Sequence, residues 1–127
     1  MSEKEKCGCG CSAAPKLIFA CSGAADVGAI ADQAARKLTK DGAGKMFCLA
    51  GIGGRVSGIM ATTESAAKIL AIDGCPLNCA GNSLEQAGFK TYEHLQLGDL
   101  GMEKGKMPPT PEAIAKAATA GAAKLVC

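Results

Sequence analysis

Lys68-Ile69-Leu70-Ala71-Ile72-Asp73-Gly74-Cys75-Pro76-Leu77-Asn78-Cys79 is the stretch that decides the fold. A short apolar run ends abruptly at Asp-Gly, which reads as a buried strand over residues 68–72. Proline is tolerated as the first residue of a helix, where its missing N–H is not needed, so Pro76 predicts a helix over about 76–87 with Cys75 as its N-cap and Gly88 at its end. Cys79 would then share a helix face with Cys75, near the positive end of the macrodipole where thiolates are stabilised.

The same strand-then-helix grammar repeats on both sides. Upstream, Leu17-Ile18-Phe19-Ala20 reads as a first strand ending in Cys21-Ser22-Gly23. Asp26 can cap a following helix whose apolar positions Val27, Ile30, Ala31, Ala34 and Leu38 follow helical spacing, closed by Asp41-Gly42. Lys45-Met46-Phe47 leads to a second strand end at Cys48, with a helix expected within residues 55–67. Downstream, residues 90–97 read as a fourth strand carrying the only histidine, His94. A Gly-rich loop over residues 98–109 follows. Thr110 and Pro111 then open a last helix as N-cap and first helical residue. Alternation of this kind predicts an α/β fold: a single three-layer α/β/α (Rossmann-like) domain of about four mostly parallel strands, in order 2-1-3-4, with helices on both faces.

Composition agrees with one domain and narrows the function classes. The chain has 127 residues, 48% hydrophobic and 20% charged, enough to bury a core without disulfides. Alanine and glycine abound and aromatics are 3%, so elements should pack through small side chains and no platform exists for stacking bases. A net charge of +2 excludes a strong electrostatic claim on nucleic acid or a membrane surface. The polar start lacks a signal core and no apolar run approaches the ~18 residues of a membrane span, so a cytoplasmic protein is expected. In a reducing compartment, eight cysteines point to metal or redox chemistry rather than a disulfide scaffold. Residues 1–14, with Cys7, Cys9 and Cys11 at every second position, are expected to form a flexible Cys-rich tail, read first as an unstructured arm with incidental thiols and alternatively as a wrap for a soft ion such as Zn(II) or Cu(I), and residues 15–127 the domain.

Cys21, Cys48 and Cys75 each follow a predicted strand, which gathers them at the carboxyl edge of a parallel sheet, the edge where such folds bind ligands. Neighbouring strands lie ~4.8 Å apart. Sulfurs around tetrahedral zinc, at Zn–S ~2.3 Å, stand roughly 3.8 Å from one another, so short loops can close the gap, with Cys79 as fourth ligand.

Rival motifs lack key residues. In Cys-Ser-Gly-Ala-Ala-Asp-Val-Gly from Cys21, Val27 stands where a cysteine-phosphatase loop needs arginine, and Val56 stands where the Gly51–Gly54 stretch would need the third glycine of a dinucleotide fingerprint. Those glycines read as a tight turn or as a backbone approach to Cys48. Arg55 reads as solvated, His94 as structural, and Asp73 as an Asx cap that bonds nearby N–H groups.

Asp73-Gly74-Cys75-Pro76 after a strand, with Cys-Ser-Gly at Cys21 and Cys-Leu-Ala-Gly-Ile-Gly at Cys48, resembles the DGC-domain family, described as zinc-binding; the resemblance runs over about residues 16–125 and includes Gly98–Lys104. It implies four chelating cysteines at Cys21, Cys48, Cys75 and Cys79, zinc as the bound ion, and no established reaction. Two alternatives use the same thiols: a redox enzyme working through Cys75 and Cys79, and an iron–sulfur carrier.

Overall fold

The computed structural model describes residues 14–126, so Cys7, Cys9, Cys11 and Cys127 lie outside the described residues. Four strands form one sheet: β1 (Lys16–Ala20), β2 (Lys45–Met46), β3 (Lys68–Asp73) and β4 (Glu93–Gln96). Their order is β2-β1-β3-β4 and every pairing is parallel, the 2-1-3-4 order predicted from sequence. Five helices accompany them: α1 (Asp26–Lys40), α2 (Leu49–Gly53), α3 (Ser57–Glu64), α4 (Cys79–Gln86) and α5 (Pro111–Leu125).

β1 and β3 are buried on both faces, which is why they read as near-continuous apolar runs rather than as alternating ones. Ile18, Ala20, Leu70 and Ile72 point to one face, against α1 and α5. Leu17, Phe19, Ile69 and Ala71 point to the other, against Ile52 of α2 and Ala80 and Leu84 of α4. Small residues set the spacing of the first layer. A Cβ on Gly121 of α5 would come within 3.0 Å of Leu38 on α1, so a larger residue would push the two helices apart.

Helix ends explain the boundaries. Gly42 and Gly88 both adopt positive φ after α1 and α4, and in each case the next residue's N–H reaches back to the last turn, Ala43 to Leu38 O at 3.0 Å and Phe89 to Leu84 O at 2.9 Å. Thr110 caps α5 by accepting from the Ala113 N–H at 3.1 Å, as its position before Pro111 predicts.

Other boundaries differ from the sequence reading. Ala25 is the N-cap of α1, and Asp26 is its first helical residue. Residues 49–53, read as a turn because of their glycines, form the one-turn helix α2; a Cβ on Gly51 would overlap the Ile59 side chain, so the glycine lets α3 pack close. The helix predicted from Pro76 with Cys75 as N-cap starts later: Asn78 is the cap, in the left-handed region at φ 54°, and Cys79 is the first helical residue. Residues 75–78 form a turn instead, with the Asn78 N–H donating to Cys75 O at 3.2 Å.

The described chain enters and leaves at the amino edge of the sheet. The Ala67 N–H donates to Pro15 O at 2.7 Å, and Lys68 Nζ donates to Val126 O at 2.8 Å.

Gly28 tests how tightly the turn after β1 is held. An added Cβ would stand 2.5 Å from Gly23 O. Gly→Ala inside a helix ordinarily stabilises by about 1 kcal/mol, but here relief requires moving backbone. Gly28→Ala is therefore expected to lower the midpoint of urea unfolding; a raised midpoint would show that the turn yields freely.

Candidate functional site

Parallel strands all end on one side, so the loops after β1, β2 and β3 meet at the carboxyl edge with their cysteines. Cys21 continues the β1–β3 pairing, its N–H donating to Ile72 O at 3.0 Å. Cys48 follows β2 as the exposed N-cap of α2. Cys75 lies in the turn after β3, and Cys79 is exposed at the start of α4. All four are free thiols.

Cys21 is the central one. It lines a hollow of about 500 Å³ together with Asp73, Cys75, Cys79 and Lys104. It also lines a second hollow of about 1080 Å³ that contains Cys48, Phe47 and Arg36. Its sulfur accepts the Gly74 N–H at 3.4 Å, which ties the first strand end to the turn after the third. Gly74 is needed at that contact for a steric reason as well, since a Cβ there would stand 2.6 Å from Val27 O.

The thiols share an edge without closing into a coordination shell: among the described residues, no three His, Cys, Asp or Glu side chains are grouped closely enough to hold a metal ion. The donor chemistry nevertheless suits a soft ion, with four thiols and no disulfide among them. The backbone beside two of them is unusual. Ser22 (φ 51°) directly follows Cys21 and Asn78 (φ 54°) directly precedes Cys79, both in a region that non-glycine residues seldom occupy. Among the described residues, Asn78 Oδ1 is also buried without a hydrogen-bond partner. An unmet buried acceptor costs about 1–3 kcal/mol, so the Cys75–Cys79 turn falls short of its full complement of bonds.

Asp73 organises this turn, and differently from an Asx cap on its own residues. It is 1% exposed, and its carboxylate accepts the N–H groups of Ala80 at 2.7 Å and Gly81 at 3.0 Å, the first free donors of α4. His94 Nε2 lies 2.8 Å from Asp73 Oδ2. Sequence reasoning left Asp73 and His94 unconnected. The signal lay in the strand register: Ala71 pairs with His94 and Asp73 with Gln96, which makes Asp73 and His94 diagonal neighbours on one face. Tyr92 lies two residues earlier on that same face. It packs edge-on against His94 and donates to Glu85 of α4; burial, then the bond to Glu85, push its hydroxyl up to about 12.

Arg55 is exposed, in keeping with its reading as solvated, and from the surface it donates to Ile52 O at 2.7 Å and to Gln86 O at 3.2 Å, linking the end of α2 to that of α4.

A model of the DGC domain matches residues 17–120. The chain belongs to the DGC domain family. Cys21, Cys48, Cys75 and Cys79 fall inside the match, and the four cysteines outside the described residues also fall outside it. Over 88 residues the chain is 36% identical to the anaerobic and virulence modulator AnvM of Pseudomonas aeruginosa, covering 69% of this chain and 67% of that protein. No solved structure matches it. Among the described residues, no helix is long and apolar enough to cross a membrane.

Lys104 reaches the smaller hollow because its loop is clamped to α1. The N–H groups of Gly105 and Met107 donate to Asp26 at 2.9 and 3.0 Å, Gly105 foremost, and hold its carboxyl below the ordinary 3.8. A depressed folded pKa contributes stability that is fully present above the unfolded value and is lost as pH falls through the folded one. Asp26→Asn is therefore expected to lower the melting temperature at neutral pH, and the gap from wild type should close as pH drops below 3.8. A gap that persists unchanged at pH ~2 would show that the clamp does not depend on the charge.

Proposed function

We propose that the DGC domain binds a soft metal ion, zinc in the first instance, through Cys21, Cys48, Cys75 and Cys79. The observation that carries this reading is the position of Cys21, which lines the hollow holding Cys75 and Cys79 and also the hollow holding Cys48. Closing the four thiols asks for movement of the exposed Cys48 and of the Cys75–Asn78 turn. Zinc held this way would tie three strand ends together and place its binding energy in the fold. The same reading places the protein in the cytoplasm, where thiols stay reduced. AnvM is named a modulator of anaerobic behaviour and virulence; carried to this chain, that name fits a regulator whose thiol centre responds to redox state.

A second reading, thiol–disulfide chemistry at Cys75 and Cys79, is favoured by the absence of a ready coordination shell among the described residues.

Elemental analysis and an absorption spectrum of protein purified without air discriminate among these. A colourless protein with one zinc ion per chain is expected; visible charge-transfer bands would mean an iron–sulfur centre instead. Cys→Ser substitution at each of the eight cysteines extends the test. Changes at Cys21, Cys48, Cys75 or Cys79 should each strip the zinc, and changes at Cys7, Cys9, Cys11 or Cys127 should leave it. If Cys21→Ser or Cys48→Ser keeps full zinc while a tail variant loses it, the site has been assigned to the wrong thiols. A redox pair would show two dominant cysteines and no metal dependence.

Chelation provides an independent check. Zinc at 100 times its Kd would stabilise the fold by about 2.7 kcal/mol, so a strong chelator should lower the melting temperature by several degrees. An unchanged transition would place the metal outside the folding unit.

A further inference from the structure

We infer that His94 is a positioning residue for the thiol site, acting on Cys75 and Cys79 through the Asp73 carboxylate; as applied to metal affinity, this rests on the reading above. The two cysteines lie in a segment of six residues, 74–79, whose ends are joined by one side chain. Asp73 precedes the segment, and its carboxylate takes the N–H of Ala80, the residue that follows it, at 2.7 Å. The closed segment is thus only as fixed as that carboxylate. A buried carboxylate with 1% exposure needs several donors, and the backbone supplies Ala80 and Gly81.

His94 supplies the remaining donor, and it comes from outside the segment. It stands on β4, the next strand, at 2.8 Å from Asp73 Oδ2. The tautomer with Nε2–H is the one in which the ring donates to the Asp73 carboxylate. The ring is in turn confined by the edge-on Tyr92, 5.9 Å away between centroids. Gly81 also lies close to both rings, since a Cβ on it would stand 2.9 Å from the Tyr92 hydroxyl and 3.5 Å from His94 Nε2. Tyr92 also holds α4 directly through Glu85. Removing the imidazole therefore leaves α4 attached, while the carboxylate that sets where Cys79 starts the helix is held by Ala80 and Gly81 alone. Groups bonded directly to a metal ligand typically affect affinity by about 10- to 100-fold, and for His94, one bond further back, the lower end of that range is the ceiling.

The experiment uses the full-length chain with His94→Leu and His94→Gln, because a glutamine amide can still donate to Asp73. Zinc affinity is read by competition with a chromogenic chelator. The iodoacetamide labelling rates of Cys21, Cys48, Cys75 and Cys79 are read by mass spectrometry after metal removal, so that this second readout does not depend on metal binding. His94→Leu is expected to weaken zinc binding by up to about 10-fold and to speed labelling of Cys75 and Cys79 relative to Cys48, and His94→Gln is expected to restore both. If wild type takes up no zinc but the labelling pattern holds, the metal reading falls and the positioning role stands. Labelling at wild-type rates in His94→Leu, an equal rise at all four cysteines, or no recovery in His94→Gln would overturn the inference.

Discussion

A buried carboxylate must be surrounded by donors or it destabilises the fold, and Asp73 is where this protein meets that demand. Its three partners come from two directions: the Ala80 and Gly81 N–H groups in the first turn of α4, and His94 on β4. Satisfying one side chain therefore fixes the end of β3, the start of α4 and the register of the edge strand together. The Asp-Gly-Cys triplet has a physical logic in consequence. Aspartate anchors the following helix, glycine admits the backbone of Val27 at a distance no side chain tolerates, and cysteine emerges from the turn those two contacts shape.

Much of the fold was legible because the sheet interior is simple. β1 and β3 had to be short, apolar and stopped by Gly or Asp-Gly, and both glycine-closed helices ended where positive φ was required. Crossover rules limited how the parallel sheet could be wound, and the 2-1-3-4 order expected within those limits is the one found. What escaped the sequence involved contacts between distant residues. Gly51 in α2 looked like a turn former because nothing local reveals that Ile59 needs its space. Pro76 looked like a helix start, but the carboxylate of Asp73 selects Ala80 and Gly81 as the capped donors and so begins the helix at Cys79. Arg55 is exposed as expected, but its bonds to the carbonyls of Ile52 and Gln86 were not legible because those acceptors belong to two different helix ends.

The candidate site divides the same way. Three cysteines at strand ends could be counted from sequence, and their common edge followed from a parallel sheet. Their separation into two hollows with Cys21 between them could not, because it depends on how far the short β2 sets Cys48 from the Cys75 turn. Lys104 was also invisible as a neighbour of the thiols, since its place depends on a clamp between Asp26 and a loop 79 and 81 residues away.

The bonds at Pro15 and Val126 lie at the far end of the sheet from the thiols, at the first residues of β1 and β3. Five residues of strand at about 3.3 Å each put roughly 16 Å of sheet between that end and Cys21. A contact made at that end leaves the face bearing Cys48 and Cys79 uncovered, so the amino edge is where the fold can be held without masking those thiols.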